Sequence, residues 1–243
     1  MSGARVCLVT GAGSGLGREI ALHLAAPGVR LLLHYHRSAA GAERTAADVA
    51  ARGGTALLLP ADLAVLEERE RLLAAVARET GVLHVLVNNV GVYPQAGLLE
   101  ITPQQWQSVL DATCSAVFHL TRGAVPLLRA AAREGAGARV VNIGDAAADR
   151  VTARLQATPY HVAKLGVHVL TRSFAEALAP DGITVNMLSP GFLETSVGEP
   201  GSPLPAGRPG RAQDLLGALD YLLSPAADYV NGANLVVSGA WNL

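Results

Sequence analysis

Tyr160 and Lys164 stand four residues apart in the run Thr158-Pro159-Tyr160-His161-Val162-Ala163-Lys164, and Lys164 is the single lysine among 19 lysine and arginine side chains. Thr158 reads as a helix N-cap and Pro159 as the first helical position, so the run predicts the opening of a helix. Residues four apart lie on one helix face, which makes the phenol and the ammonium neighbours. A cation beside a tyrosine favours the phenolate, so Lys164 is expected to draw the Tyr160 pKa down towards neutrality, where the phenol can act as a general acid or base. Arginine carries the charge with a different shape and donor geometry. A chain that uses arginine everywhere else and lysine here points to a need for the ammonium itself. The same spacing also fits an ordinary helix pair, so the surrounding elements must decide.

Short apolar runs alternate with helical stretches along the whole chain. The predicted strands are Val6–Thr10, Val29–Tyr35, Ala56–Leu59, Val85–Asn88, Arg139–Ile143, Ile183–Leu188 and Asn234–Val237, and the predicted helices cover about 15–26, 39–52, 66–79, 103–133, 158–179 and 211–224. Most of the strands are continuously apolar, as in a parallel sheet buried on both faces. Such alternation implies an α/β fold: a Rossmann-type doubly wound parallel sheet in a three-layer α/β/α single domain over residues 1–243. No linker divides the chain. The run Gly198–Gly210 reads GEPGSPLPAGRPG, in which eight of thirteen residues are Gly or Pro. It cannot hold a regular element. It follows the sixth strand at the end where such sheets bind ligands, and the expectation is a substrate lid over about 192–210.

After the first strand comes Thr10-Gly11-Ala12-Gly13-Ser14-Gly15-Leu16-Gly17. A turn poor in side chains lets backbone N–H groups approach a pyrophosphate, while the following helix directs its positive end at it. A Walker A loop is excluded, because no lysine occurs before residue 164, and no G-x-S-x-G nucleophile elbow is present. At the end of the second strand an NAD site places an acidic residue on the ribose hydroxyls. This chain has His34-Tyr35-His36-Arg37-Ser38 there. Arg37 can pair with a 2′-phosphate, with His36 and Ser38 as further donors, so the expected cofactor is NADP(H). A metal pair at His34 and His36 is the alternative, but no third ligand at suitable spacing is evident, and no metal is expected.

The net charge is −1, aromatic residues make up 4%, and no basic run occurs. These values give no footprint for nucleic acid or an anionic membrane surface. No apolar stretch reaches membrane-spanning length. Cys7 and Cys114 lack disulfide or metal spacing and read as free thiols in a reducing compartment. The expectation is a cytoplasmic protein acting on a small-molecule substrate.

Together these features resemble the short-chain dehydrogenase/reductase family across essentially the whole chain. The matching pieces are TGAGSGLG at 10–17, Asp62 after the third strand, NNVG at 88–91, YHVAK at 160–164, and Ser189-Pro190-Gly191-Phe192-Leu193-Glu194-Thr195 after the sixth strand. The resemblance implies a homotetramer or dimer that moves hydride between a nicotinamide and a carbonyl, alcohol or imine. It gives Asp62 the adenine amino group and places Leu63, Asn88, Gly91, Pro190 and Gly191 along the cofactor. Thr195 would bond the carboxamide, Lys164 would hold the ribose hydroxyls, and Tyr160 would give the proton. Two positions depart from the family pattern: Asp145 stands where a catalytic Ser is usual, and Thr113 where an Asn is usual. A carboxylate can hold an N–H or a proton-relaying water, which suits a nitrogen heterocycle. The pteridine reductases within the family carry such an Asp, a stretch like His34–Ala40, and an aromatic near Tyr93-Pro94. That resemblance implies a dihydropteridine-like C=N substrate, with Asp145, Tyr160 and Lys164 catalytic and Tyr93 and Phe192 contacting substrate. An NADPH-dependent 3-oxoacyl-type carbonyl reductase and a non-catalytic cofactor-binding protein are the alternatives.

Overall fold

The computed structural model describes residues 4–200 and 202–241. Its seven strands are β1 (Arg5–Val9), β2 (Val29–Tyr35), β3 (Thr55–Pro60), β4 (Val85–Asn88), β5 (Ala138–Ile143), β6 (Ile183–Pro190) and β7 (Asn234–Val237). All neighbours pair in parallel, in the order β3-β2-β1-β4-β5-β6-β7. The order reverses between β1 and β4. Chains leaving those two strands diverge there and open a crevice at the C-terminal ends of the strands.

The continuous apolar runs become a sheet covered on both faces because successive strand residues point to opposite sides. Val6, Leu8, Leu32, Leu86, Val140 and Val185 pack with Leu72 and Val76 of α3 (Leu66–Thr80), Leu120 and Leu128 of α5 (Ala116–Ala131) and Leu178 of α6 (Thr158–Leu178). Cys7, Val9, Leu31, Leu33, Val87 and Val141 pack on the other face. Their partners are Ile20 of α1 (Gly15–Leu24), Val49 of α2 (Ala39–Ala51) and Leu215 and Leu219 of α7 (Ala212–Leu223). Each fully buried leucine contributes roughly 1.5–3 kcal/mol. Among the described residues, no helix is long and apolar enough to cross a membrane.

Two local features depart from the sequence expectation. The single helix expected over 103–133 is interrupted: α4 (Pro103–Leu110) passes into a π turn at Asp111–Ser115 before α5 begins. The turn is tied at both sides. Arg69 donates from Nη1 to the Asp111 carbonyl, and Thr113 Oγ1 accepts from the Val92 N–H. A periodicity argument cannot see one inserted residue in a turn, and such insertions gather at functional sites. The second departure is at α6. Thr158 is its first residue rather than its cap, and its hydroxyl donates to the Arg154 carbonyl at 2.6 Å. The cap is Ala157, held in the left-handed region at φ 49. This conformation costs a non-glycine residue roughly 1–2 kcal/mol. It is imposed by pairing with the β4–α4 connection, where Ala157 donates to Ala96 and Leu98 donates to Leu155.

Candidate active site

The glycine turn is built by its neighbours. Thr10, at the end of β1, accepts from the N–H groups of Asn89 and Val90 through its hydroxyl and from Asn89 Nδ2 through its carbonyl. Gly11 takes φ +68. A Cβ on Gly17 would lie 2.4 Å from the Gly11 carbonyl oxygen, so the turn closes against α1 only through glycine. Gly41 of α2 does the same from the other side, where a Cβ would lie 2.1 Å from the Gly13 oxygen. Helix α1 then opens on Ser14, which makes no side-chain cap bond, and its first turn carries no acidic residue. The N–H groups of Gly15, Leu16 and Gly17 are left to meet an anion.

An open groove of about 380 Å³ begins at this turn and brings together Gly11, Gly13, Ser14, His36, Arg37, Ser38 and Asp62. His36 Nε2 lies 3.7 Å from Asp62 Oδ2, and Asp62 Oδ1 accepts from the Ala64 N–H. His36 and Arg37 are exposed. One expected donor, Ser38, and the histidine of the alternative metal pair, His34, are committed elsewhere. Ser38 gives its hydroxyl proton to the Gly13 carbonyl. His34 has both ring nitrogens bonded to backbone, to Gly11 N and Ala61 O, so it forms no metal pair with His36.

At the other end, β5 runs through Gly144 to Asp145. A Cβ on Gly144 would lie 2.2 Å from Met187 Cε and Ser189 Oγ, so a side chain here would have to displace both. Asp145 caps a short 3-10 turn, Ala146–Asp149, with Oδ1 accepting from Ala147 N. Its Oδ2 accepts the Tyr160 hydroxyl at 3.0 Å. Lys164 donates from Nζ to the Ile143 carbonyl at 2.6 Å and sits 5.6 Å from the Tyr160 ring centre. Gly91 faces the pair: a Cβ there would reach Lys164 Nζ at 3.0 Å and Tyr160 Cε2 at 3.3 Å. The Tyr93 ring meets Tyr160 edge-on, centroids 5.1 Å apart.

The electrostatics reverse one expectation. Enclosure raises the Tyr160 pKa well above 10, and the Asp145 charge, its hydrogen bond and Tyr93 raise it further. Lys164 does not outweigh these influences, because the carboxylate is bonded to the hydroxyl while the ammonium stands 5.6 Å from the ring centre and donates to Ile143. Burial brings Lys164 down to about 8, opposed by Asp145.

The other expected residues are placed as follows. The Asn88 amide, expected beside the cofactor, donates to Asn142 Oδ1 and Thr121 Oγ1, and Asn142 passes the chain on to Thr171. Leu63 packs in the core, between Asp62 and Ala64, which line the groove. Phe192 turns its ring to Trp241, centroids 6.2 Å apart, rather than to Tyr93. Pro190 ends β6, and Gly191 donates to the Val237 carbonyl in a space where a Cβ would touch Ser238. Thr195 is exposed and shares a recess with Gly15 and Leu16. The segment expected as a lid is joined at its two ends. Gly210 donates to the Phe192 carbonyl, Glu194 donates to the Gly210 carbonyl, and Arg211 bonds Glu194. Within that segment, Gly201 lies outside the described residues.

Among known proteins, residues 11–242 match the family described as Enoyl-(Acyl carrier protein) reductase. The chain is 33% identical to a 3-oxoacyl-[acyl-carrier-protein] reductase of Synechocystis sp., over 97% of this chain and 96% of that one. The fold superposes on the RhlG/NADP active-site complex of Pseudomonas aeruginosa with a TM-score of 0.89 at 30% identity, covering 99% and 97% of the two chains. It superposes equally on a short chain dehydrogenase of Burkholderia cenocepacia in complex with NADP, with a TM-score of 0.88 at 29% identity, covering 100% and 99%.

Burial of Lys164 leads to a pH test. The folded chain holds the ammonium less firmly than the unfolded chain does, so its penalty is complete below about pH 8. Between about 8 and 10.5 the unfolded chain carries more protons at this site, and stability gained from it rises with pH. Calorimetric melting is therefore expected to show wild type gaining on Lys164→Met across that window. Parallel curves for the two proteins would contradict the assignment.

Proposed function

The chain belongs to the short-chain dehydrogenase/reductase family, and we propose that within it this oxidoreductase uses NADPH to reduce the keto group of an apolar, 3-oxoacyl-type substrate. The single observation that carries the reductive reading is the hydrogen bond from Tyr160 to Asp145. It keeps the phenol protonated at neutral pH, and a reduction needs a proton donor at the carbonyl oxygen.

The groove fits a nicotinamide dinucleotide. Gly11 and Gly13 give a turn without side chains, the start of α1 offers free N–H groups to a pyrophosphate, and Gly91 keeps the space above Tyr160 and Lys164 clear. When bound, the reduced cofactor supplies the hydride. Tyr160 donates its hydroxyl proton to the carbonyl oxygen and gives up its bond to Asp145. Lys164, already over the ring, offers the nearest positive charge to the phenolate left behind. Asp145 opposes that charge, so this site releases the proton reluctantly. Arg37 at the rim, and no acidic residue at the end of β2, support the choice of NADP(H).

The acyl reading rests on the mouth of the site. Leu98, Leu99, Val151 and Leu155 are exposed, Leu99 and Val151 to 99% and 89%. The bonds from Leu98 to Leu155 and from Ala157 to Ala96 hold these two segments together beside the start of α6. An apolar rim of this kind suits a chain that continues out of the site. The relatives named as 3-oxoacyl reductases support the same class. The dihydropteridine reading keeps one observation in its favour: Asp145 is an acceptor beside the proton donor and would hold a ring N–H. Tyr93 gives it less support, because it stands edge-on to Tyr160 at 66°.

Replacing Asp145 separates the two. Asp145→Ser is expected to raise kcat/KM for an acetoacetyl thioester, since it removes the charge that restrains Tyr160 and restores a donor. Loss of that activity, with wild-type turnover of dihydrobiopterin, would establish the pteridine reading instead.

A second test addresses the cofactor. Arg37→Ala is expected to raise the KM for NADPH by about tenfold or more, the scale of a lost charge-assisted bond, and to leave that for NADH unchanged. Equal changes for both would remove Arg37 from the 2′-phosphate.

A further inference from the structure

We infer that His34 is a positioning residue that fixes the width of the cofactor groove by clamping its two walls together through a neutral ring. The ring lies on β2, 1% exposed, between the strands whose C-terminal loops form those walls. Nδ1 faces the Gly11 N–H at 3.1 Å, in the glycine turn. Nε2 faces the Ala61 carbonyl at 3.0 Å, one residue before Asp62. A backbone N–H can only donate and a carbonyl can only accept, so the two contacts fix the tautomer: Nδ1 bare, Nε2 protonated. A second proton on the ring would take away the acceptor that Gly11 uses.

The consequence is geometric. The Gly11 N–H is turned into the protein and is not one of the amides offered to a phosphate. What the clamp does for the ligand is to set the turn, and with it the opening of α1, at a fixed separation from Asp62. Backbone bonds alone hold the ring's own strand to each wall, from Ala12 to the His34 carbonyl and from Ala61 to the Tyr35 carbonyl. Among the described residues, the imidazole is the one side chain bonded to both walls at once. The charged and titratable groups that act on it are His36 and Asp62. Burial is the largest influence and lowers its pKa to about 4, which keeps the ring neutral through the working range of pH.

Two substitutions divide the clamp. Asparagine places an acceptor where Nδ1 was, and glutamine places a donor where Nε2 was, so His34→Asn keeps the Gly11 side and His34→Gln the Ala61 side. NADPH dissociation constants, melting temperatures and kcat at saturating cofactor would be measured on the full chain. Each variant is expected to weaken NADPH about tenfold, the cost of leaving one buried partner unmade, with kcat within about twofold of wild type. Lower melting with unchanged NADPH affinity would reduce His34 to a core residue and overturn the proposal. Nitrogen-15 spectra of the wild-type imidazoles give a readout that does not depend on the variants folding. A neutral ring protonated at Nε2 down to about pH 5 is expected. The opposite tautomer, or titration near 6.5, would overturn the clamp.

Discussion

The bond between the Tyr160 hydroxyl and Asp145 sets the chemistry of this site. It decides which form the phenol takes, and in the proposed reduction it places an acceptor where a carbonyl oxygen would otherwise find a second donor. Most of what surrounds it follows from making that contact. Gly144 lets the chain reach Asp145 past Met187 and Ser189, and the Ala147 amide orients the carboxylate. The strained Ala157 starts α6 at the angle that presents Tyr160. The ammonium of Lys164 is then left with the Ile143 carbonyl as its partner among the described residues. The protein holds a buried cation and a half-buried phenol side by side, and the carboxylate determines how the two share charge.

The cofactor end obeys a different constraint, one of space rather than charge. The turn at Gly11–Gly17 is closed by contacts that no side chain could survive, from α1 at Gly17 and from α2 at Gly41. His34 and Ser38 tie the same turn to β2 and its following loop. The buried chain from Asn88 through Asn142 to Thr171 fixes β4 and β5 to α5 and α6, so the two ends of the crevice are held by a common rigid sheet.

The architecture was readable because the apolar runs are long and their spacing is regular. β2, β4 and β7 begin and end where their hydrophobic runs do, and the switch point follows from the alternation of strand and helix. The identities of Tyr160, Lys164 and Asp145 were readable too, since each stands in a recognisable motif. Their mutual influence was not. Spacing on a helix places Lys164 near Tyr160, but only the fold shows that the carboxylate touches the hydroxyl while the ammonium does not. The π turn at Asp111–Ser115, the cap at Ala157 and the pairing of Phe192 with Trp241 depend on contacts between distant segments. His34 carries a signal, a polar residue inside an apolar strand next to the glycine turn, but by sequence it reads only as half of a metal pair with His36 that is not expected, and the backbone partners that occupy its ring are set by the fold.

The most direct test is to follow tyrosine ionisation by ultraviolet difference absorption in wild type, Asp145→Asn and Tyr160→Phe. The signal lost in Tyr160→Phe isolates the phenol of interest. In wild type this phenol is expected to ionise well above pH 10, and in Asp145→Asn at a distinctly lower pH, because the adjacent negative charge is gone. A Tyr160 that ionises near neutrality in the wild-type protein, or at the same pH in both, would show that the carboxylate does not govern it.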